Sequence, residues 1–388
     1  EYRARVAASW VTTIPVFRNE LIRFDPSAVD TAAMAAALKA GTLADTTAVL
    51  RFSSGTLLLR KVLLPTLAEA TVFAELVEVS NGDAYDRTGS VFLVSAGRSP
   101  SFLDGLTGGV GSLPVIEDRE GRTYQGICAT DDYVPPLELV RFVTPFGVGF
   151  YNEQVRVKGM VWADSVQHTM DVTELLPVLH GSVWIGVFIG TYDTGGHRVS
   201  LNMRYHPTSR EVTDAPAPDG WLQPVFNTVN VLEMSGQEYA RIFAHDSLTA
   251  EFDLPPGIGN IRLRYITTGH GGWANGDEFN PKKNSVFLNG REVGSIIPWR
   301  SDCASHRRFN PASGDFWNGV SSSDLSRSGW CPGSAVEPLT IRLPDLAPGR
   351  HRLQVAIPMG APEGDSFSAW NVSGVLIGEP MQAPGNER

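Results

Sequence analysis

The stretch Arg264–Gly333 runs from an apolar, strand-like segment into turns that hold an unusual concentration of chemically active side chains. It opens with R-Y-I-T-T-G-H-G-G-W-A-N-G-D-E-F-N (residues 264–280) and closes with D-L-S-R-S-G-W-C-P-G (residues 324–333). Glu278 and His270 share this span with arginines, two cysteines and several aromatic rings. Because loops carry binding and catalytic residues more often than cores do, we expect a functional site in these turns.

The rest of the chain alternates apolar and polar residues with a period of two, which is typical of half-buried β-strands. The alternation begins near Thr46. It is clearest in the segments Ser90–Ser95, Val183–Thr191, His197–Tyr205, Ile261–Ile266 and Leu353–Ile357. Glycine and proline, with 39 and 26 residues, separate these segments. Many short strands with such turns and little helix predict an all-β protein made of two antiparallel sandwiches.

The 388 residues are too many for one core and suffice for two domains with an extension. The extension contains the strongest helical pattern in the chain, Ala28–Ala40. A glycine-rich insertion with G-G-V-G-S is expected to be a loop, because no helix or lysine follows it to complete a phosphate site. The predicted boundaries are 1–45 for the extension, 46–207 for the first domain with its insertion near 98–136, 208–224 for a linker and 225–380 for the second domain.

Composition and motifs argue against several classes of function. A net charge of −10 makes nucleic acid an improbable partner. No apolar run is long enough to span a membrane, so we expect no membrane association. Glu1 opens no charged-then-apolar leader, so a secretion signal has been removed or was never there. The eight histidines include no H-E-x-x-H motif and no closely spaced pair, so we expect neither a metal nor a cofactor.

Motifs in both predicted domains resemble the peptide-N-glycosidase F family, bacterial amidases that release N-linked glycans from asparagine. The second domain matches at Gly269–His270, Asp277–Phe279 and Arg327–Gly333. The first domain matches at Asn81–Arg87, an acid-x-aromatic-Asp-Arg turn. Further matches follow in the expected order at Arg141–Phe146, Asp171–Thr173 and Ile189–Tyr192. The resemblance implies two side-by-side, eight-stranded antiparallel jelly rolls, which a short partly helical extension precedes, and N-glycosylated peptides or proteins as substrates. We also expect a monomer.

Cys303 and Cys331 flank one loop rich in glycine, serine and asparagine. They could be two buried thiols in a reducing compartment, whereas the resemblance implies a disulfide between them. A bridge would close a loop of 28 residues and contribute roughly 3 kcal/mol by restricting the unfolded chain. It would also imply an oxidising compartment, so we expect a secreted or periplasmic protein. Cys128 would remain as a small buried apolar residue.

The resemblance gives the catalytic role to Asp86, which we expect to activate water as a general base. An aspartate before a strand could instead be a turn residue that accepts hydrogen bonds from its own backbone. Glu278 would approach Asp86 from the second domain, or it would remain a solvated loop carboxylate. Two carboxylates brought close push their titrations apart, so one can act as a base while the other holds a proton.

Two arginines are candidates for holding the amide and the sugar hydroxyls. The forked donors of Arg87 and Arg327 suit a polarised carbonyl oxygen or a pair of hydroxyls. Each arginine also has a structural alternative, an ion pair with Asp83 or with Asp324. The sequence leaves both readings open.

Aromatic rings near the two carboxylates are candidates for stacking on sugars. They are Tyr85, Phe279 and Trp330, and Trp330 is the foremost because it lies on a loop with little core to enter. His270 is either a hydrogen-bond donor to the substrate or an anchor of its turn.

One position departs from the family pattern. The family's substrate-binding glutamate corresponds to Gly190, and Tyr192 and Asp193 follow as candidate substrate contacts. Asp193 lies on the opposite strand face from Gly190, so it can replace the glutamate only if the chain turns there. A pocket relieved of one carboxylate is expected to accept decorated glycan cores. The same loss keeps open an alternative function, a carbohydrate-binding double β-sandwich without catalysis.

Overall fold

A computed structural model describes residues 10–28, 48–94, 99–208, 219–229, 239–271, 276–360 and 368–381. The predicted helix Ala28–Ala40, beyond its first residue, and most of the predicted linker lie outside these ranges. The first half of the chain contains β1 (Thr12–Ile22), β2 (Leu50–Phe52), β3 (Leu57–Leu64), β4 (Ala70–Ser80), β5 (Thr88–Val94), α1 (Phe102–Gly108), β6 (Val115–Glu117), β7 (Thr123–Gln125), β8 (Leu137–Val143), β9 (Val166–Asp171), β10 (Gly181–Ile189) and β11 (His197–Pro207).

The second half of the chain is also built from strands. They are β12 (Trp221–Asn227), β13 (Leu248–Leu254), β14 (Ile258–Gly271), β15 (Asn284–Leu288), β16 (Arg291–Ile296), β17 (Ser334–Val336), β18 (Leu339–Arg342), β19 (Gly349–Ala356) and β20 (Ser368–Pro380). Short 3-10 helices span Pro26–Ala28, Ser53–Gly55, Val110–Ser112, Thr173–Val178, Tyr239–Ala244, Cys303–Phe309 and Ser322–Asp324.

The strands form two pairs of antiparallel sheets, so the protein is all-β with two domains, as predicted. The first domain has a four-stranded sheet (β1-β11-β4-β9) and a six-stranded sheet (β17-β8-β5-β10-β3-β2). The second domain has two four-stranded sheets (β12-β20-β14-β18 and β13-β19-β15-β16). Among the described residues, the second pair therefore has the expected eight strands and the first pair has ten. The tenth, β17, comes from the second half of the chain and pairs with β8.

The alternation seen in the sequence places the first core. Every second residue of β4 is buried from Ala70 to Ser80, and the same holds for β11 from His197 to Tyr205. Leu76 on β4 lies opposite Leu201 on β11, and both are fully buried. One face of this sheet therefore packs on the six-stranded sheet while the other face meets solvent.

Strand β1 corrects the predicted extension. Residues 12–22 pair with β11 along its length, from Thr12 opposite Tyr205 to Ile22 opposite His197, so they belong to the first domain. The sequence did not show a strand here because the register shifts on both sides of Phe17, which breaks the alternation.

The insertion near residues 98–136 also differs from the loop that was expected. Helix α1 buries Phe102 edge-on against Phe92 of the six-stranded sheet, at 5.7 Å between ring centroids. Strands β6 and β7 form a hairpin. Further on, the backbone of Cys128 pairs with that of Phe226 of β12 in an isolated antiparallel β-bridge. The insertion therefore fastens the first domain to the second.

A buried ion pair lies where β8 meets the second domain. Glu138 and Arg141 are both fully buried, and the guanidinium donates to the two carboxylate oxygens at 2.6 and 2.7 Å. Arg141 also donates to Thr268 Oγ1 of β14 and to the carbonyl of Asn371 of β20, both at 3.0 Å. Ser373 of β20 donates to Glu138. Arg264 of β14 adds hydrogen bonds to the carbonyls of Glu138 and Leu139, so a buried polar network fixes how the two domains pack together.

Removing Glu138 should cost far more than removing an exposed partner. Glu138→Ala leaves the Arg141 charge buried without its carboxylate, and we expect the free energy of unfolding to fall by about 3–5 kcal/mol. Glu75→Ala is the matched control, because it breaks a half-exposed pair with Arg204 on the same domain and should cost about 0–1 kcal/mol. Denaturant unfolding measures both. Equal losses in the two variants would contradict a structural role for the buried pair.

Candidate active site

The turn between β4 and β5 carries Asp86 and is held by a buried carboxylate, Asp83. Asp83 accepts hydrogen bonds from the Tyr85 backbone at 3.0 Å, from Arg87 Nε at 2.7 Å and from Thr191 Oγ1 at 2.6 Å. Burial opposes the charge of Asp83, but the neighbouring His197 and these bonds outweigh burial and lower the pKa of Asp83. Arg87 therefore forms an ion pair with Asp83, which is the structural alternative to substrate binding named in the sequence analysis. Its guanidinium also lies 5.2 Å from the centre of the Tyr85 ring.

Arg327 does not pair with Asp324 but with Glu278. The Arg327 side chain is 1% exposed, and its Nε donates to Glu278 Oε1 at 2.9 Å. Its Nη1 donates to the carbonyls of Ser322 at 2.7 Å and Leu325 at 3.0 Å. Glu278 Oε2 accepts a further hydrogen bond from the Gly271 backbone at 3.3 Å. These bonds, with a further one from Nη2 to Ser322 Oγ at 3.0 Å, fix the position of the guanidinium.

The same guanidinium also reaches the first domain. Arg327 Nη2 lies 3.8 Å from Asp86 Oδ2, so one arginine contacts the carboxylates of both domains. Burial raises the pKa of Asp86 to about 7, and the charge of Glu278 acts in the same direction, against Arg327 and Arg87. The carboxyl group thus titrates near neutrality, which is the range that suits a general base.

A cavity of about 510 Å³ opens over the two carboxylates. Four predicted residues line it together: Tyr85, Asp86, Glu278 and Phe279. The sequence analysis did not identify the rest of the wall, which is formed by Phe146, Gly271, Gly314, Asp315, Phe316 and Ser322. Phe316 could have been identified from the sequence, because it is one of the aromatic residues in the 28-residue loop between the two cysteines. A larger cleft of about 610 Å³, between β9 and β17, contains neither carboxylate.

Trp330 is buried, which corrects its expected role in sugar stacking. It is 3% exposed, and its indole N–H donates to the carbonyl of Gly269 at 2.8 Å. Gly329, with φ of +85°, lets the chain turn inward at this point. The Trp330 ring lies 4.9 Å beneath the Arg327 guanidinium, so it supports that arginine from behind.

His270 fits the anchoring alternative. Its ring stacks on Trp330 at 5.1 Å, and its Nε2 lies 2.8 Å from Thr268 Oγ1. Burial, together with the positive charges of Arg141 and Arg327, lowers the pKa of His270 to about 3. The imidazole is therefore neutral at physiological pH and holds the end of β14 in place.

Tyr192 and Asp193 do not line the cavity. Asp193 Oδ1 accepts backbone hydrogen bonds from Gly195 at 2.7 Å and Gly196 at 3.2 Å, so its carboxylate closes the turn between β10 and β11. The chain does turn here, but Asp193 does not supply the missing family carboxylate. Tyr192 is 67% exposed beside Phe24, with ring centroids 6.3 Å apart.

The predicted disulfide is present. Cys303 and Cys331 are bonded and buried, and they close the loop that carries Arg327, Phe316 and Ser322. Cys128 is free and buried, as expected. Among the described residues, none belongs to a helix that is both long and apolar enough to cross a membrane.

Comparison with known proteins gives the family. Models of the N-terminal and C-terminal domains of peptide-N-glycosidase F match residues 13–205 and 238–377. A solved structure of PNGF-II is 47% identical, with a TM-score of 0.87 over 98% of this chain and 67% of the PNGF-II chain. A second crystal form of PNGF-II gives 46% identity and a TM-score of 0.88, over 100% and 68%. This chain thus spans about two thirds of PNGF-II.

The PNGase F structure, described as a glycosylasparaginase from Flavobacterium meningosepticum, shares the fold at 15% identity and a TM-score of 0.58, over 95% and 96% of the two chains. A search of curated protein sequences finds no significant match. The two domain models and the similarity to PNGF-II cover nearly all of the chain. The chain therefore belongs to the peptide-N-glycosidase F family and is a peptide-N-glycosidase, a hydrolase that removes N-linked glycans.

Proposed function

We propose that Asp86, Glu278 and Arg327 hydrolyse the amide between an asparagine side chain and the first N-acetylglucosamine of an N-linked glycan. The reaction releases the intact glycan as a glycosylamine and leaves aspartate in the peptide. The observation that supports this most strongly is the contact of one buried arginine with a carboxylate from each domain, both of which line an open cavity. A protein that only binds sugars has no need of a carboxyl group whose pKa is raised to about 7.

Asp86 acts as the base in this proposal. Its ionised carboxylate accepts a proton from water, and the water oxygen adds to the amide carbonyl carbon. The carbonyl oxygen then carries negative charge beside Arg327 and Arg87. The positive charges of these arginines act at the position of Asp86, and they stabilise the negative oxygen. The proton held by Asp86 passes to the amide nitrogen as the carbon–nitrogen bond breaks. Asp86 is thereby returned to its ionised form.

The walls of the cavity suit the first sugar rings. Phe279 and Phe316 meet edge to face at 5.9 Å, and Tyr85 is 63% exposed on the first-domain side. Aromatic faces of this kind pack against the apolar faces of sugars, while Glu278 and Asp315 can accept hydrogen bonds from hydroxyls. The partly exposed Arg87 guanidinium lies 5.2 Å from the centre of the Tyr85 ring, which lines the cavity.

The site and the disulfide also bear on the oligomeric state, the co-reactants and the compartment of the enzyme. Both carboxylates belong to one chain, so a monomer contains a complete site, and the proposed steps consume water alone. The disulfide is stable in an oxidising compartment, which supports a secreted or periplasmic enzyme acting on N-glycosylated peptides or proteins.

A buried histidine positions the turn that presents Asp86. His197 Nδ1 lies 2.8 Å from Glu78 Oε1 and its Nε2 lies 3.4 Å from Asp83 Oδ2, and all three side chains are fully buried. Burial lowers the pKa of His197, but the two carboxylates outweigh it and raise this pKa to about 9. At neutral pH an imidazolium therefore lies between Glu78 and Asp83 beneath the Asp86 turn.

Asp86→Asn should lower kcat/KM by about 100-fold or more, because an amide cannot take the proton from water. In the wild type, kcat/KM should rise with pH through about 7 as Asp86 ionises. Glu278→Gln should move this inflection to lower pH, since it removes a neighbouring negative charge. Asp193→Asn is the control and should keep wild-type activity. An active Asp86→Asn variant would contradict the assignment of the base.

The raised pKa of Asp86 also predicts a change in stability. Its folded pKa of about 7 exceeds the ordinary aspartate value of 3.8, so protonation favours the folded state and that contribution is lost as pH rises through 7. Asp86→Asn should therefore raise Tm relative to the wild type at pH 8, with a smaller difference at pH 5. Thermal unfolding at the two pH values measures this. A variant that is less stable than the wild type at pH 8 would argue against a destabilised carboxylate.

His197→Gln should lower kcat/KM by about 10-fold to 100-fold through misplacement of the Asp86 turn. The folded pKa of His197 is raised above 6.5, so its stabilising contribution is present below that pH and is lost as pH rises through about 9. The variant should lack this decline of Tm. His206→Gln, at the other end of β11, should retain both activity and decline. A wild-type Tm that is constant from pH 7 to 10 would contradict an imidazolium at this position.

Gly190 tests which glycan cores the cavity accepts. A β-carbon at this position would meet the Phe188 ring at 3.5 Å and the Thr88 carbonyl at 3.6 Å, so it fits without a clash. We expect the wild type to cleave core-fucosylated glycopeptides, and Gly190→Glu to lower kcat/KM for them by about tenfold or more relative to unmodified cores. Gly190→Ala adds only the β-carbon and serves as control. A wild type that rejects core-fucosylated substrates would sink this idea.

A further inference from the structure

The turn 314–322 rises from the wall of the active-site cavity, and we call it the aromatic finger. Its backbone is closed by hydrogen bonds from Phe316 to the carbonyl of Val320 at 2.9 Å and from Gly319 to the carbonyl of Phe316 at 2.8 Å. At its base, Ser322 donates to the carbonyl of Gly314 at 2.8 Å. The finger is thus an ordered projection on the disulfide-closed loop.

Side chains beneath the finger hold its base. Ser321 Oγ donates to Ser313 Oγ at 2.8 Å, and the Ser323 backbone donates to the same Ser313 oxygen at 3.0 Å. Arg307 donates to Ser321 and, at 3.1 Å, to Ser323. The direction in which the finger points is therefore fixed by bonds that do not involve its tip.

Two consecutive aromatic residues on the finger have opposite environments. Phe316 lines the cavity and packs edge to face on Phe279. Trp317 is 96% exposed. Single exposed apolar residues are ordinary on protein surfaces, but this one directly follows a wall residue of the active site. Trp317 therefore stands exposed on the same projection that supplies a wall residue of the cavity.

We propose that Trp317 forms an outer sugar subsite, which stacks on residues of the glycan beyond those held in the cavity. The inference rests on the proposed amidase function, since it takes the first sugar to lie over Asp86 and Glu278. The indole offers a flat apolar surface to the carbon–hydrogen face of a sugar ring. The exposed side chains of Asp315 and Asn318 flank it and can bond hydroxyls. This combination of ring, carboxylate and amide suits a neutral oligosaccharide.

The test compares two substrates that share one peptide, the first with a full biantennary glycan and the second trimmed to a single N-acetylglucosamine. Trp317→Ala should raise KM for the full glycan by about 2-fold to 12-fold, the range that corresponds to one aromatic stacking contact, with kcat unchanged. KM for the trimmed substrate should not change. Trp317→Phe should keep most of the affinity. Val161→Ala, which removes another exposed apolar side chain, is the control.

Equal KM values for the wild type and Trp317→Ala on the full glycan would overturn the proposal, and so would a matching rise for the trimmed substrate, which would point to the peptide. Calorimetric titration with the free biantennary glycan separates this proposal from the amidase itself. If the wild type cleaves neither substrate, weaker glycan binding by Trp317→Ala still supports the subsite. Equal binding by the two proteins overturns it.

Discussion

The guanidinium of Arg327 joins the two carboxylates on which the proposed chemistry depends. It is buried, it bonds Glu278 at 2.9 Å, and it reaches Asp86 at 3.8 Å across the domain boundary. A buried cation needs compensating negative charge, and here that charge comes from residues that would otherwise repel each other. Burial raises the pKa of Asp86, and the same arrangement keeps Glu278 close enough to raise it further. Structure and reactivity thus share one set of contacts.

The 3.8 Å distance from Arg327 Nη2 to Asp86 Oδ2 requires that the two domains keep one fixed position relative to each other. The Glu138–Arg141 pair bonds both domains in the middle of the interface, and β17 carries the chain from the disulfide-closed loop back into the sheet of the first domain. Trp330 fills the space behind Arg327. The disulfide joins the two ends of the loop that holds Arg327. The loop therefore has fewer conformations that compete with the one in which Arg327 meets Asp86. The site is therefore a consequence of domain packing.

Sequence reasoning succeeded where local pattern decides the outcome. Alternation in His197–Tyr205 predicted β11, and motif resemblance predicted the disulfide. It also proposed Asp86 and Glu278 as candidates, and these two residues line one cavity. Sequence reasoning failed where tertiary packing decides. The bulges around Phe17 hid β1, and the helix and hairpin of the insertion carry patterns too short to stand out. Trp330 looked like a surface ring because the sequence does not show that Gly329 turns it inward. Phe316 lies far along the chain from both carboxylates, so only the fold places it at the cavity.

The most direct test of this account is product analysis in water enriched in heavy oxygen. A biantennary glycopeptide would be incubated with the wild type and with Asp86→Asn, and the peptide product would be examined by mass spectrometry. Hydrolysis of the amide predicts a peptide that carries aspartate with one heavy oxygen, formed by the wild type and not by the variant. A product that retains asparagine with a sugar attached, or one that lacks the heavy oxygen, would contradict attack by water at this site.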